Sequence, residues 1–263
     1  MARRNLDSAR IIVTGASSGI GLALTKQLAA QGARLLITAR REERLRHLAH
    51  SISTENHTCV PLTVAGDITN PGIQQDIIQM AGRELGGLDI LINNAGMGVL
   101  GRFADATAER LRRVVEVNFF APAELIRRSI PMLREGHQPL IVNIGSVLGH
   151  RAVPGKSEYC ASKFALHGFS DALRCELTHD GIGVLLISPS TTSSEFFAHV
   201  IGASSTDEQT RPNAMSPERV ARHTVRAIQR GRQELILSTG GKLLVWLDRL
   251  CPPLANRIVA RFG

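Results

Sequence analysis

Arg10-Ile11-Ile12-Val13-Thr14 runs directly into Gly15-Ala16-Ser17-Ser18-Gly19-Ile20-Gly21, and apolar residues then recur at Ile20, Leu24 and Leu28. A short aliphatic run, a glycine-rich turn and an apolar stripe of period four read as strand, turn and helix. Glycine allows a tight turn and lets another group approach the backbone closely. The start of the helix offers free N–H groups and positive dipole to an anion. The spacing is GxxxGxG rather than the GxGxxG of the general dinucleotide fingerprint. Gly15, Ser17, Ser18, Gly19, Ile20 and Gly21 are therefore candidate pyrophosphate contacts.

Working outward, further aliphatic runs lie at 34–39, 59–64, 88–93, 139–144, 183–188 and 234–238. None alternates polar with apolar, as expected of strands covered on both faces. Helical patterns separate them: Ile73, Ile77, Met80, Ala81 and Leu85 form one stripe, and Leu111, Val114, Val115 and Asn118 another. Repeated strand–helix units with right-handed crossovers give an α/β, doubly wound sheet. We expect seven parallel strands in the order 3-2-1-4-5-6-7 with helices on both faces. No composition shift or repeat divides the chain, so residues 1–263 read as one domain with 242–263 as a C-terminal helical extension. The polar segment 202–217 reads as a loop that could move.

The end of the second strand bears on nucleotide choice. An acid there suits a ribose 2′-hydroxyl and an arginine suits a 2′-phosphate. Here the strand ends Thr38-Ala39-Arg40-Arg41, with Glu42 only after the pair. Arg40 and Arg41 point to NADP(H). After the third strand, Asp67 is placed to accept from an adenine amino group with Ile68 against the ring; Asp67 could equally cap the next helix.

The single tyrosine of the chain, Tyr159, lies in Tyr159-Cys160-Ala161-Ser162-Lys163. Residues i and i+4 share a helix face, so Lys163 should lie beside the phenol. A phenol near pKa ~10 needs such a neighbour to exchange protons near neutrality. Ser146 closes Asn143-Ile144-Gly145-Ser146 at the carboxyl end of the fifth strand, where ligands bind in such folds; its alternative role is to cap a turn. Asn118 reads as a buried structural amide that could also hold a water near Lys163. Asn94, Ala95 and Gly96, after strand four, can line the nicotinamide ribose, while Asn93 reads as a tie between strands.

Together, TGASSGIG (14–21), NNAG (93–96), Asn118, Ser146 and YCASK (159–163) resemble the short-chain dehydrogenase/reductase family, a single-domain Rossmann fold, over about residues 8–240. The resemblance implies a catalytic tetrad of Asn118, Ser146, Tyr159 and Lys163. Tyr159 would transfer the proton, and Lys163 would lower its pKa and bind the nicotinamide ribose. Ser146 would stabilise the substrate oxygen, and Asn118 would hold a relay water. It also implies dimers or tetramers through helices near 120–135 and 157–179. One departure is Pro189-Ser190-Thr191-Thr192-Ser193-Ser194, where Ser190 replaces the family's glycine and Ser194 takes its threonine position. Pro189, Thr192 and Ser194 are carried over as cofactor contacts. A serine does not adopt positive φ cheaply, so the nicotinamide end could be shaped differently.

The formal charge is +8; Lys26, Lys156, Lys163 and Lys242 are the only lysines among 31 basic residues. This excess suits a phosphorylated cofactor or an acidic ligand. No nucleic-acid recognition module accompanies it. Cys59, Cys160, Cys175 and Cys251 form no CxxC or CxxH pair, which argues against metal and disulfides. MARRNLDSAR has no apolar leader core, and a cytoplasmic setting is expected. Leu243, Leu244, Leu247, Leu250 and Cys251 form one C-terminal stripe and Leu254, Ile258, Val259 and Phe262 a second, split by Pro252-Pro253. They read as a helix pair packed on the domain or a partner subunit, or as an interfacial anchor or lid that makes peripheral membrane contact. Leu148, Val153, Pro154 and Phe196 are expected around the substrate. The expected activity is interconversion of a carbonyl and an alcohol, the substrate leaning lipophilic. The alternative is a non-catalytic NADP-binding sensor or membrane-surface scaffold on the same fold.

Overall fold

The computed structural model describes residues 4–55, 60–192 and 214–262. Seven strands form one sheet: β1 (Arg10–Thr14), β2 (Arg34–Ala39), β3 (Leu62–Ala65), β4 (Ile90–Asn93), β5 (Leu140–Ile144), β6 (Gly183–Ser188) and β7 (Glu234–Ile236). Their order is β3-β2-β1-β4-β5-β6-β7, as expected of the doubly wound Rossmann arrangement. All pairings are parallel; Val13, for example, lies opposite Ile37 on one side and Ile92 on the other. Several strands are shorter than their apolar runs. β4 begins at Ile90 and β7 ends at Ile236.

The helices are α1 (Gly19–Ala29), α2 (Glu42–Glu55), α3 (Pro71–Met80), α4 (Ala108–Val115), α5 (Ala121–Arg134), α6 (Ser157–Glu176), α7 (Pro217–Gln229), α8 (Thr239–Leu250) and α9 (Pro252–Phe262). Side chains alternate across a strand, so β1 feeds two cores. Ile11 and Val13 pack with Leu35, Ile37, Leu24 and Leu28 of α1, and Ala221, Val225 and Ile228 of α7. Ile12 packs on the other face with Leu36, Leu91, Ile77 of α3, and Leu125 and Ile126 of α5. This two-sided burial explains why the runs carry no polar alternation.

Two helices contain a wide turn that the periodicity did not foretell. Ala81–Leu85 continues α3 and Glu116–Phe120 joins α4 to α5, each as a π-turn. Such a turn inserts a residue and re-aims the side chains beyond it, often at functional positions. Asn118 sits in the second.

The amino-terminal edge of the sheet is tied by Asp89. Its carboxylate accepts from the Arg10 backbone N–H (2.8 Å), Arg10 Nη2 (2.6 Å) and the His137 backbone N–H (2.7 Å). Burial works to raise the Asp89 pKa, but these bonds overcome it and hold the carboxyl below its ordinary range. Asp89→Ala should therefore cost about 3 kcal/mol, the lower end for breaking a buried pair. Urea unfolding monitored by circular dichroism measures it; an unchanged midpoint would deny Asp89 this role.

Candidate active site

The site assembles at the carboxyl ends of β1, β4 and β5. Thr14 Oγ1 accepts from the backbone N–H groups of Asn94 and Ala95, both at 2.9 Å. Asn94 returns the bond from Nδ2 to the carbonyl oxygens of Thr14 (2.9 Å) and Gly15 (3.2 Å). The two strand tips are thereby locked edge to edge. Gly15 has φ +67° and Gly19 φ +53°, conformations that favour glycine. Gly21 is required for space instead: a Cβ there would lie 2.2 Å from the Gly15 carbonyl oxygen. Ser18 precedes α1 in extended conformation and its side chain makes no capping bond. The first N–H groups of α1 are thus left for another acceptor.

At the tip of β2 the two arginines diverge. Arg41 turns back over the glycine turn, donating from Nε (3.2 Å) and Nη2 (3.1 Å) to Ser17 Oγ. Arg40 is exposed. Ser17 and the pair thus form a basic corner beside the turn.

Asp67 departs from one of its two readings, since it does not cap α3. Asp67 Oδ1 accepts from the Thr69 backbone N–H (3.0 Å) and hydroxyl (2.8 Å), and Oδ2 from Arg113 Nη2 (2.5 Å). Burial raises its pKa, while Thr69 and Arg113 more than offset this and leave it lowered. The cap of α3 is Asn70, whose Oδ1 accepts from the Gly72 N–H at 2.8 Å, not Asp67. Ile68 is buried in the second core. Its side chain belongs to the packing of the sheet more than to an open adenine face. Arg113 stands 46 residues from Asp67, and no local pattern announces it.

Around α6 the predicted residues come together. Lys163 Nζ lies 5.8 Å from the centroid of the Tyr159 ring, as the i, i+4 spacing requires. Lys163 is buried and donates to the Ile144 carbonyl at 2.8 Å. The Tyr159 hydroxyl is hydrogen-bonded to Ser146. Ser146 also accepts from the Leu148 N–H (3.0 Å) as cap of the short 3-10 turn Val147–Gly149, so its capping role holds. Asn118 accepts from the Met97 N–H (2.8 Å) and donates to the Met97 carbonyl (2.9 Å) and to Ser162 Oγ (3.0 Å). Ser162 Oγ in turn donates to the Tyr159 carbonyl at 2.8 Å. Both amide protons and the amide oxygen of Asn118 are thus engaged in positioning. Gly96 keeps the space before this group open: a Cβ there would sit 3.1 Å from Asn118 Oδ1 and 3.8 Å from Lys163 Nζ.

The electrostatics differ from the expectation drawn from spacing. Burial pushes the Tyr159 pKa up to about 12, and the Ser146 bond lowers it only in part. Burial brings Lys163 down to about 8. The depression of the phenol expected from Lys163 is not present in the protein alone, because the cost of burying each charge outweighs their attraction at this distance.

Asn93 Nδ2 donates to Asn143 Oδ1 (3.0 Å) and Asn143 Nδ2 to Ser170 Oγ (2.9 Å), so Asn93 ties β4 through β5 to α6. After β6, the Pro189 carbonyl accepts from the Val147 N–H (2.9 Å), and Thr192 pairs with Met215. Ser190 does not adopt positive φ; among the described residues only Ser8 and Gln138 do so without being glycine. The exchange for glycine therefore carries no backbone strain. Ser194, Phe196 and most of the 202–217 segment lie outside the described residues. Sequence reading also missed Gly149, where a Cβ would meet the Lys163 carbonyl at 2.7 Å, so that only glycine lets the Ser146 turn lie flat on α6.

A family model for short chain dehydrogenases matches residues 9–203. The chain belongs to the short-chain dehydrogenase family. Among its relatives are dehydrogenase/reductase SDR family member 7B of Mus musculus, 32% identical with 97% of this chain and 81% of that protein covered, and its Bos taurus counterpart, 30% identical with 98% and 82% covered. A solved short-chain dehydrogenase from Sphingobium yanoikuyae in complex with NADPH is 30% identical, with TM-score 0.80 and 94% and 95% of the two chains covered. One from Burkholderia cenocepacia in complex with NADP is 28% identical, with TM-score 0.80 and coverage of 91% and 100%. One from Burkholderia phymatum in complex with NAD shares the fold at TM-score 0.87 and 23% identity, with 95% and 96% covered. Members of this family are nicotinamide-dependent oxidoreductases, and the chain carries the family's ordered motifs on the family's fold.

Beside this site His150 is enclosed, its side chain 1% exposed, with Nε2 2.8 Å from Ser188 Oγ and 3.6 Å from Glu234. Burial, then His167 and Arg249, lower its pKa from 6.5 to about 4, with Asp171 opposing. Between these values the unfolded chain binds a proton that the folded chain refuses. This contribution is thus intact above pH 6.5 and is lost as pH falls towards 4, by roughly 3 kcal/mol in all. Denaturant titrations from pH 7 to 4 should show a shallower loss for His150→Gln than for the parent; parallel curves would refute the assignment.

Proposed function

We propose that the protein is an NADP(H)-dependent oxidoreductase that interconverts a carbonyl and an alcohol, with Tyr159 as general acid/base. The observation that carries this is the phenol of Tyr159 bonded to Ser146, with Lys163 one helical turn away, at the strand ends beside the glycine turn. The whole chain would act as one domain, with 242–263 as an extension.

The residues fit a dinucleotide. Gly15, Gly19 and Gly21 keep side chains away from the turn, and the N–H groups that open α1, with Ser17, Ser18 and Ile20 in the turn, would face the pyrophosphate. Asn94, Ala95 and Gly96 would border the ribose with Lys163, whose ammonium uses one of three donors on Ile144. Pro189, Thr192 and Ser194 would flank the nicotinamide. Arg40, Arg41 and Ser17 would take the 2′-phosphate, and Asp67 with Ile68 would lie nearest the adenine. The NADP and NADPH held by the Burkholderia cenocepacia and Sphingobium yanoikuyae enzymes support this choice, as does the lack of an acid at the tip of β2.

A bound nicotinamide would supply or accept the hydride. Ser146 holds the substrate oxygen within reach of the Tyr159 hydroxyl. With its pKa near 12 the phenol is protonated at neutral pH, the form needed to donate a proton to an oxygen whose carbon receives hydride. Lys163, its Nζ 5.8 Å from the Tyr159 ring centroid and bonded to the Ile144 carbonyl, would orient the ribose beside the phenol. Both amide donors of Asn118 are already used, so a relay water would rest on the main chain of its π-turn. Exposed Phe120 and Phe164, near α5 and on α6, support assembly into dimers or tetramers. No described helix is long and apolar enough to cross a membrane.

Tyr159→Phe should reduce turnover of a carbonyl panel, followed by NADPH absorbance, at least about a thousandfold while NADPH affinity changes less than about threefold. Turnover close to the parent's would remove the proton-transfer role. Arg40→Ala with Arg41→Ala should weaken NADPH about tenfold or more and NADH little, since a charge-assisted phosphate bond is lost from one ligand only. Equal weakening, measured by fluorescence titration, would remove the 2′-phosphate argument.

A further inference from the structure

The C-terminal helices pack only in part by the stripes that the sequence suggests: Val259 is buried, whereas Leu243 and Leu250 are exposed. α8 turns Gly241 and Val245 inward, and a Cβ at Gly241 would meet Val147 Cγ2 at 2.7 Å. α9 buries Ala255 and Val259. Arg151, five residues after Ser146, straps both helices down: Nη1 donates to Asp248 (2.7 Å) and Nη2 to Asn256 (2.6 Å). The opposite face of α8 presents Leu243 (70% exposed), Trp246 (59%) and Leu250 (77%) at i, i+3 and i+7, and α9 exposes Leu254 and Ile258. Leu243, Trp246 and Leu250 are thus the most open large apolar side chains of the two helices.

Charge identifies the occupant. Lys242, Arg249, Arg257 and Arg261 lie on the two helices, and their one acid, Asp248, is turned inward to Arg151. A second copy of this chain, at +8 and with the same cations on these helices, would meet like charge. An anionic lipid surface satisfies both features: acyl chains take the apolar face and headgroups take the cations. Trp246 suits the boundary between them. At 12 and 11 residues the helices are too short to span a bilayer and suited to lie in its surface.

We propose that α8 and α9 dock the protein on anionic lipid membranes, beside the segment that carries Ser146. This does not depend on the proposed reaction, and its test does not use activity. Trp246 is the only tryptophan and reports the contact directly. The full chain is mixed with vesicles of phosphatidylcholine alone or with added phosphatidylglycerol. With the anionic vesicles, Trp246 emission should shift to the blue, be quenched by brominated acyl chains, and the protein should sediment; salt should release it. Leu243→Glu with Leu250→Glu, both exposed and leaving Trp246 in place, should cut partitioning at least about tenfold with an unchanged circular dichroism spectrum. Lys242→Gln with Arg257→Gln should weaken it by about fivefold per charge. Emission unmoved by vesicles, equal partitioning of the glutamate variant, equal binding to neutral vesicles, or a blue shift that tracks protein concentration without lipid would each overturn the proposal; the last would mark self-association instead.

Discussion

The ammonium of Lys163 is buried against a backbone carbonyl rather than a carboxylate, and the geometry of the site depends on that choice. A fixed counter-ion would hold the proton on the lysine; the Ile144 carbonyl orients the group without doing so, and burial brings its pKa to about 8. The same bond joins α6 to the end of β5, which carries Ser146. Tyr159, one turn earlier on α6, is thereby set against the Ser146 hydroxyl. Asn118 adds a second link through Ser162, and Gly149 a third by letting the Ser146 turn lie on the helix backbone. The reactive groups are thus held by backbone contacts of rigid elements, the arrangement that keeps a site from loosening.

The other flank of α6 is fixed by charge. Arg110 of α4 donates from Nε (2.8 Å) and Nη2 (2.6 Å) to one oxygen of Glu158, the residue before Tyr159, while the other carboxylate oxygen is buried without a hydrogen bond. A half-satisfied buried pair adds little to stability but tolerates few alternative alignments of the two helices. The π-turn after α4 then swings Asn118 towards Met97 and Ser162. Helix pairing and helix irregularity work together here, and both act on the first turn of α6.

Much of this was legible in the sequence because it depends on short spacings. The glycine turn, the i, i+4 pair of Tyr159 and Lys163, and Ser146 at a strand end are local patterns, and the alternation of strands with helices gives the parallel sheet, whose order follows from the fold that these motifs resemble. The features hidden from sequence depend on distant partners or on solvation. Asp67 finds Arg113, Arg41 folds back to Ser17, and Asn70 takes the capping role read for Asp67. Ile68 is claimed by the core. The π-turn at 116–120 breaks periodicity in a way composition does not mark. At the C-terminus the apolar stripe was visible, but its direction was not, because Gly241 lies against Val147 where a larger side chain would not fit. The balance of burial against attraction at Tyr159 needs coordinates, since spacing gives the neighbour but not the dielectric around it.

A protein of this size with one phenol is optically unusual. The tyrosinate absorption band in the ultraviolet has no background here from other tyrosines, so every change in it belongs to Tyr159. A group held near 12 by its surroundings is silent at neutral pH, and any event that stabilises its anion becomes visible as new absorbance. The wild-type chain therefore carries, without label or substitution, an indicator placed at the atom whose proton the chemistry concerns.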